Sequence, residues 1–301
     1  MGDLTRDEIQ WLIDLGIKLK LDANRGPLSQ SLVNKVVGLL FEKPSTRTRA
    51  SFETAIYQLG GEAMYLRADE LQLSRGEPLK DTARILGGYL NAVVIRTYAH
   101  KNLVEFAEYA PVPTINALSD LEHPTQIIAD LITVYEAKGK LSGVKFVWVG
   151  DGNNVCNSWL LGGARMGMNM VVSCPEGYDP DRQVLGKARQ YAKESGGAVE
   201  LIMNPAKAAE AADVVYTDVW VSMGQEKGAK SKERAFRPYQ INAKLVSKAK
   251  PDVSVMHCLP AHRGLEITDD VLEGSRSVVW QQAQNKLHAA RAVLAAFLCN
   301  P

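Results

Sequence analysis

The chain is 301 residues long, 46% hydrophobic and 23% charged, a composition that excludes disordered and fibrous classes and leaves room for two domains of ordinary size. A formal net charge of +1 gives no global attraction to nucleic acid or to a membrane surface, so any preference for an anion must be local. No apolar run approaches membrane-spanning length, and the four cysteines, Cys156, Cys174, Cys258 and Cys299, show no C-x-x-C spacing, which speaks against zinc and against a disulfide scaffold.

Met1-Gly2-Asp3-Leu4-Thr5 leads into a charged amphipathic segment and not into a signal-like apolar core, so a cytoplasmic protein with reduced thiols is expected. Thr5-Arg6-Asp7-Glu8 has the spacing of a capping box, and Ile9, Leu12, Ile13 and Ile17 follow on one helical face. Val36 to Phe41 is nearly all apolar, as in a strand buried on both faces. It stops at Glu42-Lys43-Pro44-Ser45-Thr46-Arg47-Thr48-Arg49, after which Phe52, Ala55, Ile56 and Leu59 recur at helical spacing up to Gly60-Gly61. Ser45 or Thr46 therefore falls near a helix N-terminus, where unpaired N–H groups and the positive dipole end attract an anion. Hydroxyls interleaved with Arg47 and Arg49 complete a phosphate cradle, and no Walker-type loop occurs anywhere in the chain.

Further along, Ala63 to Leu66 is expected as a strand, Leu79 to Leu90 as a helix, Ala92 to Ile95 as a buried strand ending at Arg96, and Leu103 to Tyr109 as a helix. Val112 to Leu118 gives another strand, and His123-Pro124 opens a helix through Tyr135. The small and charged residues from Ala137 to Gly143 mark a domain boundary. Beyond it, strands are expected over Phe146 to Val149, Met170 to Ser173, Glu200 to Met203, Val214 to Thr217 and Val253 to Met256, with a helix over Asp181 to Lys193. This alternation predicts an α/β protein with parallel sheets. A closed eight-stranded barrel has the same alternation, while the break near residue 140 favours two doubly wound parallel-sheet domains. Gly224 to Tyr239 is charged, rich in small residues and without periodicity, as expected of a lid, and a last helix runs from about Gln282 to Leu298.

Five stretches that follow strands carry chemistry. Taken alone, Arg96 reads as half of a surface ion pair and His123 as a helix-start histidine bonded for structure. Val147-Trp148-Val149-Gly150-Asp151-Gly152-Asn153-Asn154 runs from a strand into a Gly-rich turn, but it lacks the third glycine and the acid after the next strand that dinucleotide binding requires. Asp218 to Gly224 places a carboxylate and the Ser222 hydroxyl where an α-amino group would find acceptors; without further context it is a loop start with a solvated acid. His257-Cys258-Leu259-Pro260, with His262 nearby, falls short of a metal site in ligand count, and a buried structural cysteine is the ordinary reading.

In this order, Ser45-Thr46-Arg47-Thr48-Arg49, Arg96, the H-P-x-Q segment at His123-Pro124-Thr125-Gln126, the D-x-x-x-S-M-G segment at Asp218 and H-C-L-P at His257 resemble the aspartate and ornithine carbamoyltransferases, and the last two resemble the ornithine branch. The resemblance spans nearly the whole chain. It implies a carbamoyl-phosphate-binding domain over residues 1–138 and an ornithine-binding domain over 139–281, with the active site between them and the helix 282–301 packing back on the first. By the same resemblance, carbamoyl phosphate is held by Ser45, Thr46, Arg47, Thr48, Gln72, Arg96, His123, Pro124, Thr125, Gln126, Cys258, Leu259 and Lys286, and L-ornithine by Asn154, Asp218, Ser222 and Met223. The catalytic group so implied is Arg96, His123, Cys258 and Asp218. Gln72 matches a position that reaches in from a neighbouring subunit, which implies a homotrimer.

The activity implied is transfer of the carbamoyl group to the side-chain amine of ornithine, giving L-citrulline and phosphate, with no metal or organic cofactor. Its place is arginine metabolism, biosynthesis being the direction expected, although the residues serve synthesis and breakdown alike. One departure stands out: where the family carries arginine after E-N in its last helix, this chain has Gln284-Asn285-Lys286. Lysine keeps the charge and loses the planar fork, so weaker anion binding is expected. The rivals are a sibling transferase acting on putrescine, N-acetylornithine or aspartate, a catalytically silent homologue, and a nicotinamide-dependent dehydrogenase resting on Gly150-Asp151-Gly152 alone.

Overall fold

A computed structural model describes residues 1–221 and 229–299 of the chain. Two units are distinguished: a first built from Asp7–Ile132 with Asn285–Pro301, and a second built from Met1–Arg6 with Thr133–Gln284.

The first unit contains α1 (Arg6–Ala23), β1 (Val36–Phe41), α2 (Thr46–Gln58), β2 (Glu62–Arg67), two short 3-10 turns, α3 (Leu79–Tyr89), β3 (Ala92–Arg96), α4 (His100–Tyr109), β4 (Thr114–Leu118) and the start of α5 (Pro124–Lys138). Its four strands are all parallel, in the order β2-β1-β3-β4. Parallel strands must be covered on both faces, which is why Val37, Leu39, Val93 and Val94 are completely buried. Leu40, Ala83, Leu90, Val93, Ile95, Leu103 and Phe106 form one apolar cluster, and each fully buried large side chain contributes about 1.5–3 kcal/mol. Gly38 has a packing reason, since a Cβ there would meet Leu90 Cδ1 at 2.6 Å.

The second unit continues with β5 (Lys145–Val149), α6 (Asn154–Arg165), β6 (Asn169–Ser173), α7 (Arg182–Ser195), β7 (Ala198–Leu201), α8 (Pro205–Ala209), β8 (Val214–Thr217), α9 (Ala229–Phe236), α10 (Ala243–Val246), β9 (Ser254–His257), α11 (Asp269–Leu272) and α12 (Val279–Leu298). Its five strands are parallel in the order β7-β6-β5-β8-β9. One side of β5 is lined by aromatics: Phe146 stacks on Trp159 at 4.0 Å and Trp148 on Tyr216 at 5.2 Å between ring centroids. The division between units falls inside α5 and inside α12, so each of these helices contributes residues to both. In the first unit, α12 lies against α1, where a Cβ on Gly16 would stand 3.6 Å from the His288 carbonyl oxygen and 3.7 Å from Ala292 Cβ.

Two local expectations are corrected. The strand expected over Glu200 to Met203 is β7, Ala198–Leu201, an edge strand paired only with β6, and Met203 stands 60% exposed beyond it. Apolar residues past the end of the strand had extended the pattern. The stretch expected as an aperiodic lid becomes helical from Ala229, where α9 seats Phe236, fully buried, against Tyr178 at 4.8 Å; residues 224–228 lie outside the described residues.

Candidate active site

Open parallel sheets gather ligands at the carboxyl ends of their strands, where successive connections leave in opposite directions. In the first unit β2 lies on one side of β1 and β3 on the other, so that crevice opens after β1 and β3, at Glu42 to Thr48 and at Arg96. In the second unit β6 and β8 flank β5, and the crevice opens after β5 and β8, at Gly150 to Asn154 and at Asp218.

The cradle is held from below. Phe41 pairs with Arg96, the Glu42 amide donates to the Arg96 carbonyl at 2.8 Å, and the Glu42 carboxylate accepts from the Thr97 hydroxyl at 2.6 Å and the Tyr98 amide at 2.7 Å. Ser45 caps α2, its Oγ accepting from the Thr48 amide at 3.3 Å, a contact worth about 1 kcal/mol. Thr46 is exposed, Arg47 half-buried and Thr48 buried. Arg49 turns away from the cradle: its guanidinium pairs with Glu53 at 2.8 Å and lies 3.6 Å from the centre of the Tyr65 ring. Only one guanidinium of the motif remains for an anion.

The loop after β4 delivers His123. Asp120 accepts from the His100 amide at 2.7 Å and Ser119 Oγ from the Glu122 amide at 3.2 Å, leaving His123 directly ahead of Pro124, the first residue of α5. His123 is 5% exposed. Burial drives its pKa well below the ordinary imidazole value, and the positive charges of Lys286, Arg96 and Lys43 push it further the same way, which favours the neutral ring. Lys43 is itself lowered to about 8 by burial and then by Arg96, and its ammonium sits 4.6 Å from the centre of the Tyr98 ring. Gln126 is buried, donating to Asp130 at 2.8 Å and accepting from Lys286 at 2.6 Å. Thr125 Oγ1 is buried with no hydrogen-bond partner among the described residues. Gln72 is exposed in the 3-10 turn Gln72–Arg75.

In the second unit the centre is a carboxylate. Asp218 is 8% exposed; its Oδ1 accepts from the Cys258 thiol at 2.9 Å and the Val219 amide at 2.8 Å, and its Oδ2 accepts from Asn153 Nδ2 at 2.8 Å. Asn153 also caps α6, its Oδ1 accepting from the Val155 and Cys156 amides at 3.0 and 3.1 Å. Asn154, half-buried, is the first residue of that helix. Gly152 is there for close approach: a Cβ would stand 2.3 Å from Pro180 N and 2.4 Å from the Asp179 carbonyl carbon. Backbone of Asp179 and Pro180 therefore lies where a side chain at 152 would go. From α9, Lys232 pairs with Asp151 at 2.7 Å, both largely buried, while burial raises the Asp151 pKa against the pull of that ammonium. Ser222 and Met223 lie outside the described residues.

Asp218, His257 and Cys258 each bring one potential ligand atom within 4.8 Å of the others. The donor set does not suit a metal, because both nitrogens of His257 are committed: Nε2 faces the buried Glu266 carboxylate at 3.1 Å, and Nδ1 accepts from the Leu259 amide at 2.8 Å. The Nδ1 bond holds Leu259, a non-glycine residue at φ 58°.

The description "Aspartate/ornithine carbamoyltransferase, carbamoyl-P binding domain" matches residues 1–136, and "Aspartate/ornithine carbamoyltransferase, Asp/Orn binding domain" matches residues 142–297. The anabolic ornithine carbamoyltransferase of Pyrococcus furiosus is 52% identical over 98% of this chain and 94% of its own length. The chain belongs to the ornithine carbamoyltransferase family. A solved ornithine carbamoyltransferase structure from the same organism superposes with a TM-score of 0.95 at 51% identity, covering 99% of this chain and 95% of that one. The catabolic ornithine carbamoyltransferase of Thermoplasma volcanium is 52% identical over 96% of this chain and 94% of its own, so likeness to named relatives does not separate synthesis from breakdown.

Within this family member, Ser45, Thr48, Arg96, His123, Thr125 and Gln126 come together in the first unit with Lys286, and Asn154, Asp218, Cys258 and Leu259 lie together in the second. Sequence reasoning missed Lys43, Asp130 and Asn153. A lysine directly between a buried strand and a phosphate cradle was a signal for the first, and an acid one turn after Gln126 on an otherwise apolar face was a signal for the second.

Proposed function

We propose that the chain transfers the carbamoyl group of carbamoyl phosphate to the side-chain amine of L-ornithine, giving L-citrulline and phosphate. The observation that carries this reading is the set of cations, Lys43, Arg96 and Lys286, gathered about the buried His123, with Arg96 paired to the strand that leads to the cap of α2. Such a centre suits a phosphate dianion next to a polar carbonyl. Ser45, Thr46, Arg47 and Thr48 hold the phosphate, with Gln72 contributed by a neighbouring subunit of a homotrimer. The exposure of Gln72, and of Tyr57 and Tyr89 at 80% and 75%, supports that assembly. Pro124, Thr125 and Gln126, with Cys258 and the Leu259 carbonyl, border the carbamoyl group.

Ornithine binds through Asn154, Asp218, Ser222 and Met223, its α-amino group answering the Asp218 carboxylate. An alkyl amine with a pKa near ~10.4 costs about 4 to 5 kcal/mol to hold neutral at pH 7, and desolvation beside Cys258 lowers that cost. The neutral amine attacks the carbamoyl carbon, and negative charge on its oxygen is stabilised by Arg96, the His123 N–H and the Thr48 hydroxyl. The bond to phosphate then breaks, and phosphate leaves with the amine's proton. A cytoplasmic setting and a place in arginine biosynthesis belong to the same proposal. No helix among the described residues is long and apolar enough to cross a membrane.

The test is colorimetric detection of ureido product with ornithine, putrescine, N-acetylornithine and aspartate offered in parallel. Product with ornithine is expected. Product only with another acceptor moves the chain to a sibling activity, and silence with all four in protein that still binds carbamoyl phosphate makes it a binding homologue.

A further inference from the structure

Gln126 is a side chain whose usefulness depends on which end of its amide faces which way. Its two ends are chemically different, a donor NH2 and an acceptor oxygen, and the last torsion of glutamine is too soft to choose between them unaided. Lysine can only donate and a carboxylate can only accept. With Lys286 Nζ 2.6 Å from Oε1 and Asp130 Oδ1 2.8 Å from Nε2, and all three residues buried, a flipped amide would set donor against donor and acceptor against acceptor. Both neighbours therefore enforce one orientation.

We infer that Lys286 and Asp130 are positioning residues that lock the Gln126 amide with its oxygen as the fixed acceptor, and that this lock selects a carbamoyl group over an acyl group of the same shape. This rests on the reading above, in which Gln126 borders the carbamoyl group of carbamoyl phosphate. Oε1 has two lone pairs; Lys286 takes one, and the other accepts from the carbamoyl NH2. Acetyl phosphate has a methyl group there and leaves that lone pair unanswered in a dry site, the situation in which enzymes discriminate most strongly. The lysine that replaces the family's arginine keeps this role, because both side chains are donors only.

The experiment compares dissociation constants for carbamoyl phosphate and acetyl phosphate by calorimetry, without ornithine. Their ratio cancels the attraction of the Lys286 charge for the phosphate that both ligands share. Lys286→Met and Asp130→Asn should each lower the ratio about 10-fold, the worth of one hydrogen bond at a buried polar group. Lys286→Arg should preserve it while tightening both ligands. In a Gln126→Ala background Lys286→Met should leave the ratio where Gln126→Ala alone puts it. An unchanged ratio in both single variants overturns the inference, as does an undiminished fall in the Gln126→Ala background. If Lys286→Met does not fold, Asp130→Asn decides, since it leaves the ammonium in place. Because the readout needs no turnover, a wild-type protein silent with ornithine would defeat the functional reading and leave this one standing on its own ratio.

Discussion

The two crevices use one architecture to opposite electrostatic ends. Each opens beside the innermost strands of a parallel sheet, and each begins with a polar residue capping the next helix, Ser45 on α2 and Asn153 on α6. In the first unit the groups facing the crevice are cations, and the histidine among them has its pKa lowered first by burial and then by their repulsion. In the second the buried group is a carboxylate, tied to an amide, a thiol and a backbone N–H. Topology thus fixes where a ligand goes, and a few side chains decide its sign. A dianion belongs to one crevice and an ammonium group to the other.

That contrast predicts which substrate each variant should disturb. The largest effect is expected from Arg96→Ala, which removes charge stabilisation from the developing oxyanion and should lower kcat by roughly 10²- to 10³-fold; a change confined to KM for carbamoyl phosphate would make Arg96 a binding group only. Asp218→Ala should raise KM for ornithine by about 10- to 100-fold and leave KM for carbamoyl phosphate within about 2-fold. Equal damage to both constants would erase the division of labour between the crevices.

The smallest effect is in the pH dependence, where the two sites pull in opposite directions. Lys43, lowered to about 8, would attract phosphate only while protonated, so that attraction is full well below pH 8, is halved at about 8 and is lost as pH rises further. KM for carbamoyl phosphate should therefore rise on the alkaline side by at most about 10-fold. Over the same range kcat should climb as the ornithine amine loses its proton. Lys43→Arg should flatten the first trend and spare the second, which steady-state kinetics between neutral and mildly alkaline pH would resolve. A Lys43→Arg enzyme with an unaltered KM profile would remove Lys43 from the anion site.

Much of this was legible in the sequence because buried parallel strands leave short, unmistakable apolar runs: β1 and β8 match their expected spans. Motif residues directly after those runs were legible for the same reason. What was not legible depends on partners distant in sequence. Arg49 looked equivalent to Arg47 until Glu53 and Tyr65 were seen to claim it. Asn153 could not be told from Asn154 without Asp218 beside it. Helix α9 was hidden because Phe236 is its one fully buried side chain and Lys232, turned inward onto Asp151, adds nothing apolar, too little pattern to show a period.

The doubled use of Asn153 has a consequence for how such a protein grows old. Loss of the side-chain amide nitrogen is a common chemical lesion of asparagine, and the aspartate it leaves is as good a helix cap as the original. The start of α6 would survive. The 2.8 Å contact with Asp218, however, would become an encounter between two carboxylates, which raises the proton affinity of the pair and removes the amide donor from Asp218 Oδ2. Damage at this one residue would leave α6 capped and the Asp218 carboxylate without the amide that orients it.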